Sequence, residues 1–106
     1  MDIHLVSKEL KEALLPLFGS RFSKLVLFGS FARSDFREDS DIDYMLVLTD
    51  KEVNPFQVIA EANEILSGFL LKYGRVFSVA ATSEEKFRSY KSAFYHFVRQ
   101  DGIEIQ

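Results

Sequence analysis

Apolar residues recur along this chain at two different periods, and the switches between them mark its elements. In "SKELKEALLPLF" (7–18), Leu10, Ala13, Leu14, Leu17 and Phe18 fall three and four apart, which predicts a helix capped by Ser7. Pro16 should either kink this helix or mark its last turn, and Gly19 ends it. Consecutive apolar residues in "KLVLFGS" (24–30) then meet a Gly-Ser break too early for a helix, so a short buried strand is expected. Phe31 to Phe36 fits one or two helical turns, and "SDFREDSD" (34–41) is polar and turn-prone. "DIDYMLVLTD" (41–50) is apolar on both faces beyond its aspartates, the pattern of a central strand.

A second long helix is announced by Asn54 as cap and Pro55 at its first position, and closed by Gly74. Val58, Ile59, Ala62, Ile65, Leu66, Phe69 and Tyr73 form its apolar stripe. "RVFSVAAT" (75–82) predicts a third strand. Thr82 to Glu85 reads as a capping box for a last helix carrying Phe87, Tyr90, Phe94 and Phe97 as core residues, before Gly102 and a short "IEI". Any of those four rings left exposed would be a natural partner surface. The order helix, strand, turn, strand, helix, strand, helix describes a two-layer mixed α and β domain, and we expect residues 1–106 to form one such domain.

Composition narrows the chemistry. The 106 residues, 47% of them hydrophobic, suffice for one compact core. A net charge of -3 argues against gripping nucleic acid mainly by phosphate neutralisation, so direct nucleic-acid binding is not expected. With no cysteine, disulfides and thiolate metal sites are excluded. His4 and His96 lack ligand spacing and belong to the surface or to helix packing. No apolar run approaches the ~20 residues of a membrane span and the amino terminus does not resemble a signal peptide, so the cytoplasm is the expected compartment.

One stretch, "FGSFARSDFREDSDID" (28–43), carries the candidate chemistry. On an extended strand, residues two apart share a face about 7 Å apart, so Asp41 and Asp43 project together while Ile42 packs the other way. Two such carboxylates repel unless a cation lies between them, and hard Mg²⁺ favours one or two carboxylates completed by water and substrate phosphate. Gly29 lets the backbone approach an anion closely, and Ser30 adds a hydroxyl beside free N–H groups. Either half alone is common. Their conjunction, on the order of one in a thousand by chance, points to in-line attack on a metal-bound phosphoryl group.

Gly29, Ser30, ten residues, then Asp41, Ile42 and Asp43 is a pattern that resembles the signature of nucleotidyltransferases of the DNA polymerase beta superfamily. The whole chain, from the first helix to "FVRQDGIEI", is similar to a minimal nucleotidyltransferase (MNT) domain. That resemblance implies an α+β nucleotidyltransferase fold, a small mixed sheet packed against helices, using ATP and Mg²⁺ to transfer a nucleotide. It makes Asp41 and Asp43 the catalytic metal ligands and Gly29 and Ser30 the phosphate-binding residues, with Arg33 assisting. It further implies a toxin-antitoxin setting, in which the chain pairs with a helical HEPN toxin and adenylylates it, in a homo- or hetero-oligomer.

The chain departs from that family at one position. Active members carry a third carboxylate on a neighbouring strand, and the equivalent position here is Ser78, which is neither a strong metal ligand nor a base. Glu84 and Glu85 are the nearest acids, at a helix start where they offset the dipole. Two functions stay open: transfer of AMP to a protein hydroxyl, or a nucleotide-binding module that neutralises its partner by complex formation. Arg33 and Arg37 are either phosphate ligands or solvated partners of Asp35, Glu38 and Asp39; Ser40 braces the turn, and Lys24 is a surface charge.

Overall fold

A computed structural model describes all 106 residues. Helix α1 spans Ile3–Phe18, β1 Phe22–Phe28, α2 Ser30–Arg33, β2 Ile42–Leu48, α3 Pro55–Tyr73, β3 Phe77–Ser83, α4 Glu84–Ser89, α5 Ala93–Asp101 and β4 Ile103–Glu104. The four strands form one mixed sheet in the order β3-β2-β1-β4. β1 runs antiparallel to β2 and β4, whereas β2 and β3 are parallel because α3 crosses between them. β2 is therefore interior, as its two-sided apolar sequence requires. No helix is long and apolar enough to cross a membrane.

Strand alternation splits the interior into two unequal parts. Leu25, Leu27, Ile42, Tyr44, Leu46, Leu48, Phe77, Val79 and Ala81 point to α1 and α3 and join an 18-residue core. On the opposite face only Val26, Met45, Val47 and Val98 are buried together, beneath the short helices α4 and α5. α1 and α3 are also tied at the surface, where Glu9 accepts from Tyr73 Oη and from Lys72 Nζ.

Several local expectations are corrected. α1 starts a turn earlier than its Ser7 cap implied: Asp2 is the cap, its carboxylate accepting from the amides of His4 (3.0 Å) and Leu5 (3.3 Å). Ser7 is instead fully buried, its hydroxyl 2.7 Å from that of Tyr44. Burial pushes the Tyr44 phenol up to about 12, against the lowering effect of Ser7. Pro16 does sit in the last turn and Gly19 ends the helix at φ 55°.

β1 begins at Phe22 rather than Lys24, through an irregularity in its register. Ser83 caps α4 in place of Thr82, accepting from Lys86 N at 3.1 Å, while the Thr82 hydroxyl accepts from Tyr95 Oη at 2.8 Å.

The expected last helix is two helices. Tyr90 takes an extended conformation, and Ser92 caps a new helix by accepting from Tyr95 N at 3.1 Å. The break throws the predicted aromatic stripe out of phase. Tyr90, Phe94 and Phe97 are about half exposed, and Val98 is the residue of α5 that enters the core.

Candidate functional site

β1 ends at Phe28, and the chain turns at Gly29 into the single helical turn of α2. Gly29 has φ 75°, a conformation that a side chain disfavours. It is also hemmed in: a Cβ there would lie 2.6 Å from Asp43 Oδ2. Glycine is thus required twice, by the turn and by the approach of the carboxylate. The structure brings together two residues that stand far apart in the motif.

No side chain caps α2, so its first-turn amides have no capping partner. Ser30 is the first residue of the turn, and its carbonyl accepts from Asp35 N at 3.0 Å.

Asp43 occupies the second position of β2, level with Phe28 on β1 and Ser78 on β3. It lies on the sparsely covered face, while Ile42 before it is fully buried in the large core. Asp41 is exposed, immediately ahead of the strand. Burial raises the Asp43 carboxyl above its ordinary range, the neighbouring Asp41 charge raises it further, and Arg33 works in the opposite direction. Arg33 is therefore within electrostatic reach of the pair, although its Nε sits 3.2 Å from Asp35 Oδ2 on the surface.

No group of three or more His, Cys, Asp or Glu side chains is positioned to hold a metal ion. The donor set is two carboxylates, one of them half-buried and holding its proton more firmly through burial first and its neighbour second. That set suits a hard dication whose remaining ligands are water and substrate oxygen. Ser78 is exposed and directly level with Asp43 on the adjacent strand. Glu84 and Glu85 follow the far end of β3, roughly 17 Å along the strand from Ser78 at its usual rise. Glu84 accepts instead from Ser23 Oγ at 2.9 Å.

Arg37 is exposed and its amide is held by Ser40 Oγ at 2.8 Å, so Ser40 does brace the turn. Lys24 Nζ lies 5.0 Å from the centre of the Phe87 ring. Both histidines are exposed. Phe94 of α5 meets Phe28 edge-on at 5.5 Å, so a half-exposed ring borders the strand end that carries the site.

One functional candidate had no signal in the sequence. Arg75, just ahead of β3, donates from Nη1 to the carbonyls of Arg37 (3.3 Å) and Ser40 (3.2 Å). Its partners are backbone atoms, which residue types do not reveal.

Comparison with known proteins bears on the family and the fold. The model of a family described as the nucleotidyltransferase domain matches residues 7–99. A Methanocaldococcus jannaschii protein named as a candidate protein adenylyltransferase is 36% identical over 96 residues, covering 90% of this chain and 89% of its own. Among solved structures, one described as a candidate nucleotidyltransferase of Sulfolobus solfataricus superposes with a TM-score of 0.66 at 22% identity, covering 95% of this chain and 77% of the other. A toxin-antitoxin structure determined with AMP-PNP gives a TM-score of 0.60 at 18% identity, over 93% and 72% of the two chains.

Proposed function

Because this chain belongs to the nucleotidyltransferase domain family, we propose that it transfers AMP from ATP to a hydroxyl group of a partner protein, a helical toxin of the HEPN type. The observation that carries the reading is the close approach of Asp43 to Gly29, which supports a phosphate-binding turn working beside a metal-binding carboxylate. The name of the Methanocaldococcus jannaschii relative supports AMP as the transferred group and a protein as the acceptor. The toxin-antitoxin neighbour with its ATP analogue supports the nucleotide and the kind of partner. We set the reaction in the cytoplasm, where ATP is supplied.

In this reading Asp41 and Asp43 hold Mg²⁺, and the Gly29 turn and Ser30 bind the phosphates. Arg33 exchanges Asp35 for a phosphate oxygen. The bound ion would neutralise charge on the attacking and leaving oxygens. The acceptor oxygen forms a bond to the α-phosphorus, the bond to the β-phosphate oxygen breaks, and pyrophosphate leaves. With serine rather than a carboxylate at 78, the acceptor proton passes to water.

Ser78 also favours a second reading. A site lacking the third acid would bind nucleotide and neutralise its partner by occlusion alone. The two readings separate on one preparation. ATP is titrated calorimetrically with and without Mg²⁺ into the wild type and into Asp41→Ala/Asp43→Ala, and the intact mass of a co-expressed helical partner is then recorded. Binding that needs both metal and aspartates, followed by a gain of one AMP on the partner, is the expected result. Binding and complex formation without added mass would select the second reading, and no ATP binding by the wild type would defeat both.

A further inference from the structure

The segment that delivers Asp41 to the sheet is held from within by short-range hydrogen bonds, between Arg37 and Ser40 and from Asp35 to Ser30. Between α2 and β2 its backbone turns back at Ser34, in a left-handed conformation at φ 64°, and residues 35 to 39 are exposed. Asp41 itself lies outside the strand ladder. Two acidic residues as close in sequence as Asp41 and Asp43 repel one another when ionised.

Three contacts oppose this, and Arg75 is common to them. From Nη1 it reaches the carbonyls of Arg37 and Ser40, the residues that close the turn ahead of Asp41. Its guanidinium carbon also lies 5.5 Å from the centre of the Phe31 ring, in α2. That buried ring in turn stacks on Phe36 of the same segment at 4.2 Å, nearly parallel. Next to Arg75, Val76 O accepts from Ile42 N at 3.0 Å, fixing the first residue of β2. Arg75 makes no ion pair with any carboxylate, so its charge is spent on carbonyl oxygens and a ring.

We infer that Arg75 is a positioning residue for the metal- and phosphate-binding site, joining α2, the 34–41 segment and the start of β3 so that Asp41 stays level with Asp43. The guanidinium suits this task because its planar fork can stack on an aromatic face while it donates sideways to oxygen. An ammonium is a point charge on a flexible stem and cannot do both. The effect on ligand binding rests on the nucleotidyl-transfer reading, whereas the hold on the segment does not.

The test therefore has two arms, on wild type, Arg75→Lys and Arg75→Ala. In the first, amide hydrogen exchange is followed in the ligand-free proteins. The amides of Arg37, Ser40 and Ile42 should exchange about tenfold faster in Arg75→Ala, with those of Met45 to Leu48 unchanged and Arg75→Lys intermediate. In the second, ATP is titrated across a range of Mg²⁺ concentrations. The Mg²⁺ needed for half-maximal ATP binding should rise about 10- to 100-fold in Arg75→Ala, the usual loss when support of a ligand shell is removed. Excess Mg²⁺ should restore binding.

Unchanged exchange at those three amides, faster exchange throughout the chain, or an Arg75→Lys protein indistinguishable from wild type would each overturn the inference. A higher ATP requirement that excess Mg²⁺ does not relieve would also overturn it, since Arg75 would then be a phosphate ligand. If the wild type binds no ATP, the nucleotidyl-transfer reading falls, and the exchange arm alone decides the role of Arg75.

Discussion

The two faces of the sheet are built from the same strands and do opposite work. Toward α1 and α3, alternate residues of β1, β2 and β3 join an 18-residue core. Toward α4 and α5 the buried set is four residues, and the strand ends near Asp43 and Ser78 are left uncovered. Ile42 and Asp43 are neighbours in sequence, yet one is sealed and the other faces the site. Stability is concentrated on one face, which leaves the other free to carry groups that are costly to bring together.

Substitutions on each face should break or sharpen this contrast. The largest loss is expected from Leu46→Ala, which opens a cavity at a fully buried position of β2. It should cost about 2–5 kcal/mol in urea denaturation, against about 1–2 for Val98→Ala on the thinner side. Equal losses would mean that the faces share the load.

Gly29→Ala comes next. At φ 75° and with Asp43 Oδ2 in the way, it should cost about 1–3 kcal/mol and eliminate ATP binding. Part of the stability loss should return in a Gly29→Ala/Asp43→Ala double variant, because the clashing oxygen is gone; strict additivity would contradict the close approach.

Ser7→Ala should cost about 1–2 kcal/mol, since it leaves the buried Tyr44 hydroxyl without its partner. Adding Tyr44→Phe should recover some of this.

The smallest effect is a pH dependence. The folded state raises the Asp43 carboxyl, so the protonated form is the one it favours. The stability associated with that proton is complete below the ordinary carboxylate range and is lost as pH rises through the raised folded value. Asp43→Asn should accordingly melt slightly above wild type at neutral pH, and this advantage should vanish in acid. A variant less stable at neutral pH would show that the ionised Asp43 is welcome where it stands.

The same contrast explains what could be read in advance. α3 was legible from end to end because its cap, its proline and its terminal glycine are all local signals. The candidate site could be picked out because Gly29, Ser30, Asp41 and Asp43 lie in one short stretch whose spacing has a chemical reason. What escaped depends on partners distant in sequence. Ser7 serves as a cap only if the helix starts there, and its real role depends on Tyr44, 37 positions later. The split between α4 and α5 turned on Ser92 competing as a cap, which four aromatic residues at apparently helical spacing concealed. Arg75 gave no sign at all, since any residue can offer the carbonyl oxygens that it binds.

The chain order of these parts has a temporal consequence. β1, α2 and β2 are complete by Leu48, and their antiparallel pairing alone sets Gly29 against Asp43. Arg75 follows roughly 25 residues later, after the whole of α3. At translation rates of about 5–20 residues per second, Arg75 emerges about 1 to 5 seconds after the last residue of β2, so the fastening of the turn is the last part of the site to be made.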